Sequence, residues 1–356
     1  MLQPRNNCLK ELEFIMVEEK EREQQTALVL GARGGIGGHI TEALLGRGWK
    51  VRALVRDKVP TSHHPMIEWC VGDVMIAEDV VRAAQGVSLI VHAVNPPGYR
   101  NWETLVLPML DSAINAAETV GARILLPGTV YNFGSDAFPL LREDSPQRPT
   151  TRKGKIRVEM EERLRAASRR GVRVLIVRAG DFFGPKARNN WFSQGLIQPG
   201  KPVRAISSPG RPGIGHQWAY LPDVAETMMR LLARADELPS FAVFHMEGFW
   251  DANGRHLPAA IERVVGHHVK MKRVPWWLFR ICAPFVPLFK EVLEMRYLWQ
   301  KEVRMSNEKL VAFLGDEPRT PIDAAVFATL KDLDCLEPHP AGSGMDLARG
   351  DRRAPI

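Results

Sequence analysis

A chain of 356 residues, 45% hydrophobic and 25% charged, is long enough to bury one large α/β core and a smaller appendage. Its net charge of +7 is carried by scattered Lys and Arg with only short clusters, such as Arg169–Arg170 and Arg352–Arg353. That is a solvated surface, and it argues against a nucleic-acid partner. Four widely spaced cysteines (Cys8, Cys70, Cys282, Cys335) without a CxxC supply neither a zinc site nor a disulfide framework, which points to a reducing, cytoplasmic setting.

In chain order, residues 1–24 read as a charged lead-in without the apolar run of a signal peptide, with Met16 as an alternative start. Thr26–Leu30 reads as a strand that runs into a glycine cluster, and a helix follows at once with Ile36, Ile40 and Leu44 on one face. Gly31, Gly34 and Gly37 give the spacing GxxGxxG. Glycine is required where the chain reverses with positive φ and where backbone must touch a diphosphate. The first helical turn offers free N–H groups and a positive dipole end. Gly31, Arg33, Gly34, Gly35, Ile36 and Gly37 are therefore candidate cofactor-binding residues.

Lys50–Arg56 reads as the second strand, and a polar loop with Pro60 and Pro65 follows. Ile67–Val71 is a third strand ending at Gly72-Asp73, Ala77–Ala84 a short helix and Ser88–Ala93 a buried fourth strand. A helix over Glu103–Val120, a strand over Arg123–Pro127, a helix over Lys153–Ala167 and a sixth strand over Val172–Ala179 continue the alternation. Apolar strands alternating with helices predict a Rossmann-type, doubly wound parallel sheet whose ligand lies beyond the strands' carboxyl ends. Gly34, Asp73, Val94 and Pro127 all fall at such ends. Residues 25–185 are thus expected to form the dinucleotide-binding domain, with its sheet completed by later segments. Residues 186–335 would form a smaller substrate-binding lobe.

In that lobe, Gly195–Gly215 reads as loop, Pro222–Ala233 and Pro258–Val265 as helices, and Phe241–Met246 and Val269–Val274 as strands. Pro275–Trp299 is aromatic and proline-rich. It is suited to packing the lobe on the sheet, to walling an apolar substrate pocket or to lying on a membrane surface. It is too short and too interrupted to cross a bilayer, so no integral membrane segment is expected. Ile322–Leu333 closes the lobe, and residues 336–356 read as a disordered tail.

An acidic residue roughly 20 positions past the glycine turn would take the ribose 2′-hydroxyl of NAD. Here Arg56 stands at that place and Arg33 sits in the turn, which suits the 2′-phosphate of NADP(H). Asp57 is the dissenting neighbour and keeps NAD as the alternative.

The set Gly31-xx-Gly34-xx-Gly37, Arg56, Gly72-Asp73, His92-Ala93 and Arg178-Ala179-Gly180…Gly184-Pro185 resembles the extended and atypical short-chain dehydrogenase/reductases, which include the nucleotide-sugar epimerase/dehydratase group. The similarity covers roughly residues 25–335. It implies that Asp73, with Val74 beside it, meets the adenine and that Ala93 and Val94 lie near the nicotinamide. It also implies an oxidoreductase or epimerase/dehydratase-like enzyme that transfers hydride on a small carbonyl or hydroxyl compound, sugar-like or apolar. Homodimers are common among the resembling proteins.

Those enzymes use Tyr-x-x-x-Lys on the helix after the fifth strand, a spacing that puts both side chains on one face. The matching segment here is taken as Thr151 to Lys155, with the lysine kept and the tyrosine replaced by threonine, whose hydroxyl is too weak an acid for the task. Tyr131 could supply the missing phenol with help from Thr129 and Lys155, or could be a packing residue at a strand end. The corresponding alternative at the level of function is a non-catalytic NADP(H)-binding redox sensor. Lys155 is counted with the cofactor-binding as well as the catalytic candidates. The histidine pairs His63-His64 and His267-His268 lack metal-ligand spacing, and His92 reads as a satisfied core residue.

Overall fold

A computed structural model describes residues 25–59, 64–96, 101–188 and 190–337. The lead-in, Cys8, Met16, Pro60, His63 and the tail from residue 338 onward lie outside the described residues. Seven strands form the central sheet: β1 (Thr26–Leu30), β2 (Lys50–Val55), β3 (Ile67–Val71), β4 (Leu89–His92), β5 (Arg123–Gly128), β6 (Val174–Arg178) and β7 (Phe241–His245). Their order is β3-β2-β1-β4-β5-β6-β7, and every neighbouring pair is parallel. β4, β5 and β6 are buried along their whole length, as strands covered on both faces must be.

Among the described residues the chain forms ten α-helices: α1 (Gly35–Leu45), α2 (Ala77–Ala84), α3 (Trp102–Val120), α4 (Arg152–Arg169), α5 (Leu221–Ala233), α6 (His256–Val265), α7 (Trp276–Cys282), α8 (Pro287–Glu294), α9 (Glu308–Leu314) and α10 (Ile322–Asp332). α2, α3 and α4 cover one face of the sheet through Val80, Val106, Leu110, Ile156 and Leu164. α1, α5 and α9 cover the other through Ile40, Leu44, Val224, Met228 and Leu310. The order of the sheet reverses between β1 and β4, which makes the crevice above those two strands the switch point.

A separate core gathers Phe183, Phe192, Trp218, Ile261 and Leu330. The lobe departs from expectation at Gly195–Gly215. Residues Ala205–Ser208 form a strand paired in parallel with Lys270–Arg273, and residues Phe192–Leu196 form a wide helical turn. A strand whose partner lies some sixty residues downstream leaves no local signal amid glycine and proline.

Candidate functional site

The glycine turn opens the site. Gly31 has φ +95°, and a Cβ there would stand 2.7 Å from the Ala93 carbonyl oxygen and 2.9 Å from the Val94 nitrogen. A Cβ at Gly37 would overlap the Gly31 carbonyl oxygen, so this glycine lets α1 close on its own turn. Gly35 is confined for another reason, since Ala187 Cβ lies 3.1 Å from where its Cβ would be. Gly34 starts α1 from an extended conformation, with no side-chain cap and no acidic residue in the first turn. The opening amides and the positive dipole end are thereby left for an external anion, and the residues present fit a diphosphate.

Arg33 and Arg56 are both exposed, and among the described residues neither is held in an ion pair. Asp73 lies at the end of β3, where its Oδ1 accepts from Met75 N–H at 3.0 Å and its own N–H donates to Asp79 at 2.9 Å. Val74 is buried beneath it. These contacts define a turn that leaves Asp73 Oδ2 without a hydrogen-bond partner among the described residues.

A cavity of about 140 Å³ lies over the ends of β4 and β5, lined among others by Ile36, His92, Val94, Thr129, Tyr131 and Arg157. Ala93 and Val94 form its edge beside Gly31. Thr129 Oγ1 accepts from Tyr131 N–H at 3.2 Å and so shapes the turn that carries the phenol. Tyr131 packs with Phe133, Met295 and Leu298 while also reaching the cavity.

His92 is not the satisfied core residue expected. It is buried, and among the described residues neither ring nitrogen meets a hydrogen-bond partner. Burial, reinforced by the Arg157 charge, pushes its pKa down to about 3, so the ring is neutral. A buried, unpartnered imidazole beside a cavity is what a bound polar ligand would complete.

The helix register also differs from expectation. Thr151 is the N-cap of α4, its Oγ1 accepting from Gly154 N–H at 3.0 Å, and Lys155 is exposed to solvent. The buried pair at the same spacing is Lys153 and Arg157. Arg157 lines the cavity, donates to Asn95 Oδ1 at 3.2 Å and lies 5.0 Å over the Trp102 ring. Lys153 is fully buried. Its Nζ donates to the Glu291 carbonyl and to Glu294, each at 3.0 Å, and pairs with the Glu291 carboxylate. An i, i+4 pattern alone fits Thr151/Lys155 and Lys153/Arg157 equally, and it is burial of both side chains that distinguishes the second pair.

Beneath the turn, Arg178 is buried and doubly bonded to Glu161, at 2.9 and 2.5 Å, and Arg178 Nη1 meets His245 Nε2 at 2.8 Å. Glu161 accepts from Gln147, which in turn accepts from Asn132, the neighbour of Tyr131. This chain fixes the Thr129–Phe133 segment in place. Asp181, which also lines the cavity, lies 2.8 Å from His216, and His216 stacks on Trp299 at 3.6 Å. Lys153, Arg157, Glu161, Asp181 and His216 carry no sequence signal beyond their residue types.

Two further cavities adjoin. One of about 280 Å³ is walled by Trp191, Val274, Phe279, Leu288, Phe289 and Met295, and it shares Asn190 and Trp191 with the first. Pro275–Trp299 therefore both packs on the lobe and walls an apolar pocket. The other, about 610 Å³, carries Arg211, His216, Asp251, Arg255, Lys272 and Arg273 in its lining. Among the described residues no group of three or more His, Cys, Asp or Glu could hold a metal, and no helix is long and apolar enough to cross a membrane.

The model of the NAD dependent epimerase/dehydratase family matches residues 27–246. The sterol-4-alpha-carboxylate 3-dehydrogenase, decarboxylating, of Mus musculus is 36% identical over 73 residues, 20% of this chain and 20% of that protein. The 3-beta-hydroxysteroid dehydrogenase of Mycolicibacterium neoaurum is 38% identical over 65 residues, 18% of each chain. The matched segment thus spans about a fifth of the length of these curated relatives. The UDP-glucuronic acid 4-epimerase of Bacillus cereus, solved in complex with NAD, superposes with a TM-score of 0.67 at 13% identity, covering 87% of this chain and 98% of that one.

Proposed function

We propose a function from one premise: the chain belongs to the NAD dependent epimerase/dehydratase family. The protein binds a nicotinamide dinucleotide along the carboxyl edge of its sheet, takes NADP(H) in preference to NAD(H), and acts as an oxidoreductase on an apolar alcohol or ketone. The observation that carries this reading is the cavity over β4 and β5. It joins a phenol, a hydroxyl and a guanidinium to a neighbouring apolar pocket through Trp191. The two curated relatives are named for sterol and steroid substrates, which agrees with an apolar lining.

When bound, the nicotinamide ring accepts or supplies the hydride. Tyr131 gives a proton to the substrate oxygen as a carbonyl is reduced and recovers it in the reverse direction, with Thr129 holding its turn. Arg157 takes the place expected of the lysine and supports negative charge on that oxygen and on the phenol. Lys155, on the solvent side, has no such part. Arg33 and Arg56 receive the 2′-phosphate through charge-assisted hydrogen bonds, and Asp73 receives the adenine.

Titration of the purified chain with NADPH and NADH, followed by fluorescence, tests the cofactor half. NADPH is expected to bind more tightly, and the double variant Arg33→Ala, Arg56→Ala to lose that advantage. Tighter NADH binding would refute it. Turnover of apolar ketones by Tyr131→Phe tests the chemical half, with loss of about a hundredfold or more expected. A second reading, a dinucleotide-binding redox sensor without turnover, is favoured by one fact: Lys153, not tyrosine, occupies the buried partner position to Arg157. Undiminished turnover in Tyr131→Phe would remove the assigned acid, and no turnover in the parent protein across the panel would favour the sensor.

A further inference from the structure

The α7–α8 hairpin turns some of its largest apolar side chains outward. Trp277, Ile281 and Phe285 are 66%, 61% and 84% exposed, and Leu278 and Val286 are exposed beside them. The opposite side of the hairpin is anchored at Trp276, and its two helices stack on each other. Trp276 Nε1 donates to the Pro209 carbonyl at 2.9 Å, and Phe279 stacks on Phe289 with ring centroids 4.4 Å apart. The outward residues thus stand on a hairpin held at Trp276 and by the stack between its own helices. No other part of the described chain concentrates exposed large hydrophobics in this way.

The charge leading into this ridge is of one sign up to Lys290, and the carboxylates that follow, Glu291 and Glu294, are turned to Arg152 and Lys153. From Val264 to Lys290 the chain holds Lys270, Lys272, Arg273, Arg280 and Lys290 and not one Asp or Glu. All five cations are exposed, and among the described residues none of them forms an ion pair. An exposed tryptophan and phenylalanine set among unpaired cations match a surface that is apolar inside and anionic outside, which is the interface of a bilayer carrying acidic lipids. The helices are too short to cross it.

We propose that the α7–α8 hairpin is a peripheral membrane-docking surface. It inserts Trp277, Ile281 and Phe285 at the headgroup boundary of an anionic bilayer, while Arg280 and Lys290, on the hairpin itself, meet the lipid phosphates. The apolar cavity lies directly behind the hairpin, since Phe279, Leu288 and Phe289 belong to its wall. Docking would thus bring the mouth of that cavity to the lipid. Only this last point rests on the proposed apolar substrate, because docking itself requires no cofactor and no turnover.

Sedimentation of the full chain with vesicles tests the proposal, using phosphatidylcholine alone and phosphatidylcholine mixed with phosphatidylglycerol. The parent protein is expected to pellet with the mixed vesicles and to be released by salt. The triple variant Trp277→Ser, Ile281→Ser, Phe285→Ser should bind at least about tenfold more weakly. An unchanged circular dichroism spectrum and urea midpoint of this variant would show that it is folded. Should it fail to fold, brominated lipids in the mixed vesicles are expected to quench the parent protein's tryptophan fluorescence. A parent protein that stays in the supernatant with both vesicles, or shows no quenching, overturns the proposal. So does a ridge whose removal abolishes self-association while vesicle binding is absent, since the surface would then belong to a second copy of the chain.

Discussion

Gly31 answers two demands at once: a positive φ, and a closest approach to the carbonyl at the end of the neighbouring strand. Alanine meets neither. Gly31→Ala is expected to lower stability by about 3 kcal/mol, from left-handed strain plus displacement of the Ala93–Val94 edge, and to abolish dinucleotide binding. Urea unfolding followed by circular dichroism measures the first, and an unshifted midpoint would contradict it. This glycine was legible in the sequence because its cause is local: strand, reversal and helix lie within a few residues. Arg157 was not legible. Its neighbours Thr151 and Lys155 offer the same helical spacing, and only burial against Trp102 and Asn95 marks the face that matters.

At the scale of elements, α8 is fastened to the start of α4 by charge. Lys153 Nζ reaches Glu291 and Glu294, and Arg152 bonds the same Glu291 at 2.5 Å. Burial would raise the Glu291 pKa, but Lys153 and Arg152 outweigh it and hold the carboxyl below its usual value. Removing one partner of a buried pair leaves the other charge uncompensated. Lys153→Met is therefore expected to cost about 3 kcal/mol and to loosen α8 first, seen as faster amide exchange over residues 287–294 than over β5. Equal protection of α8 in variant and parent would argue against the clamp. The strands and the long helices were legible from alternation and period. The clamp was not, because its partners stand 141 residues apart and nothing near either end announces the other. The strand at Ala205–Ser208 was hidden in the same way by its distant partner.

Across the whole molecule, two buried histidines tie stability to pH. Burial, with Arg157 near one and Arg178 near the other, depresses the pKa of both His92 and His245 to about 3, against an ordinary 6.5. Below the ordinary value the unfolded chain takes up protons that the folded chain refuses. Their contribution is fully present above it and is lost as the pH falls toward 3, by about 1.4 kcal/mol per pH unit for each ring. Urea midpoints should fall steeply from near-neutral pH to about pH 4.5, and His245→Asn should flatten the slope. A slope unaffected by that substitution would sink the assignment.

The seventh strand has a consequence of its own for biosynthesis. β6 is wholly apolar but for Arg178, and β7, which covers its outer rim, is made only some sixty residues later, after much of the lobe has been threaded. While a nascent chain waits for Phe241–His245 to leave the ribosome, that rim is a row of unpaired amides and carbonyls open to any passing strand. The lobe is thus bound up with the sheet's own completion, and a fragment cut just after β6 would carry the sticky rim permanently.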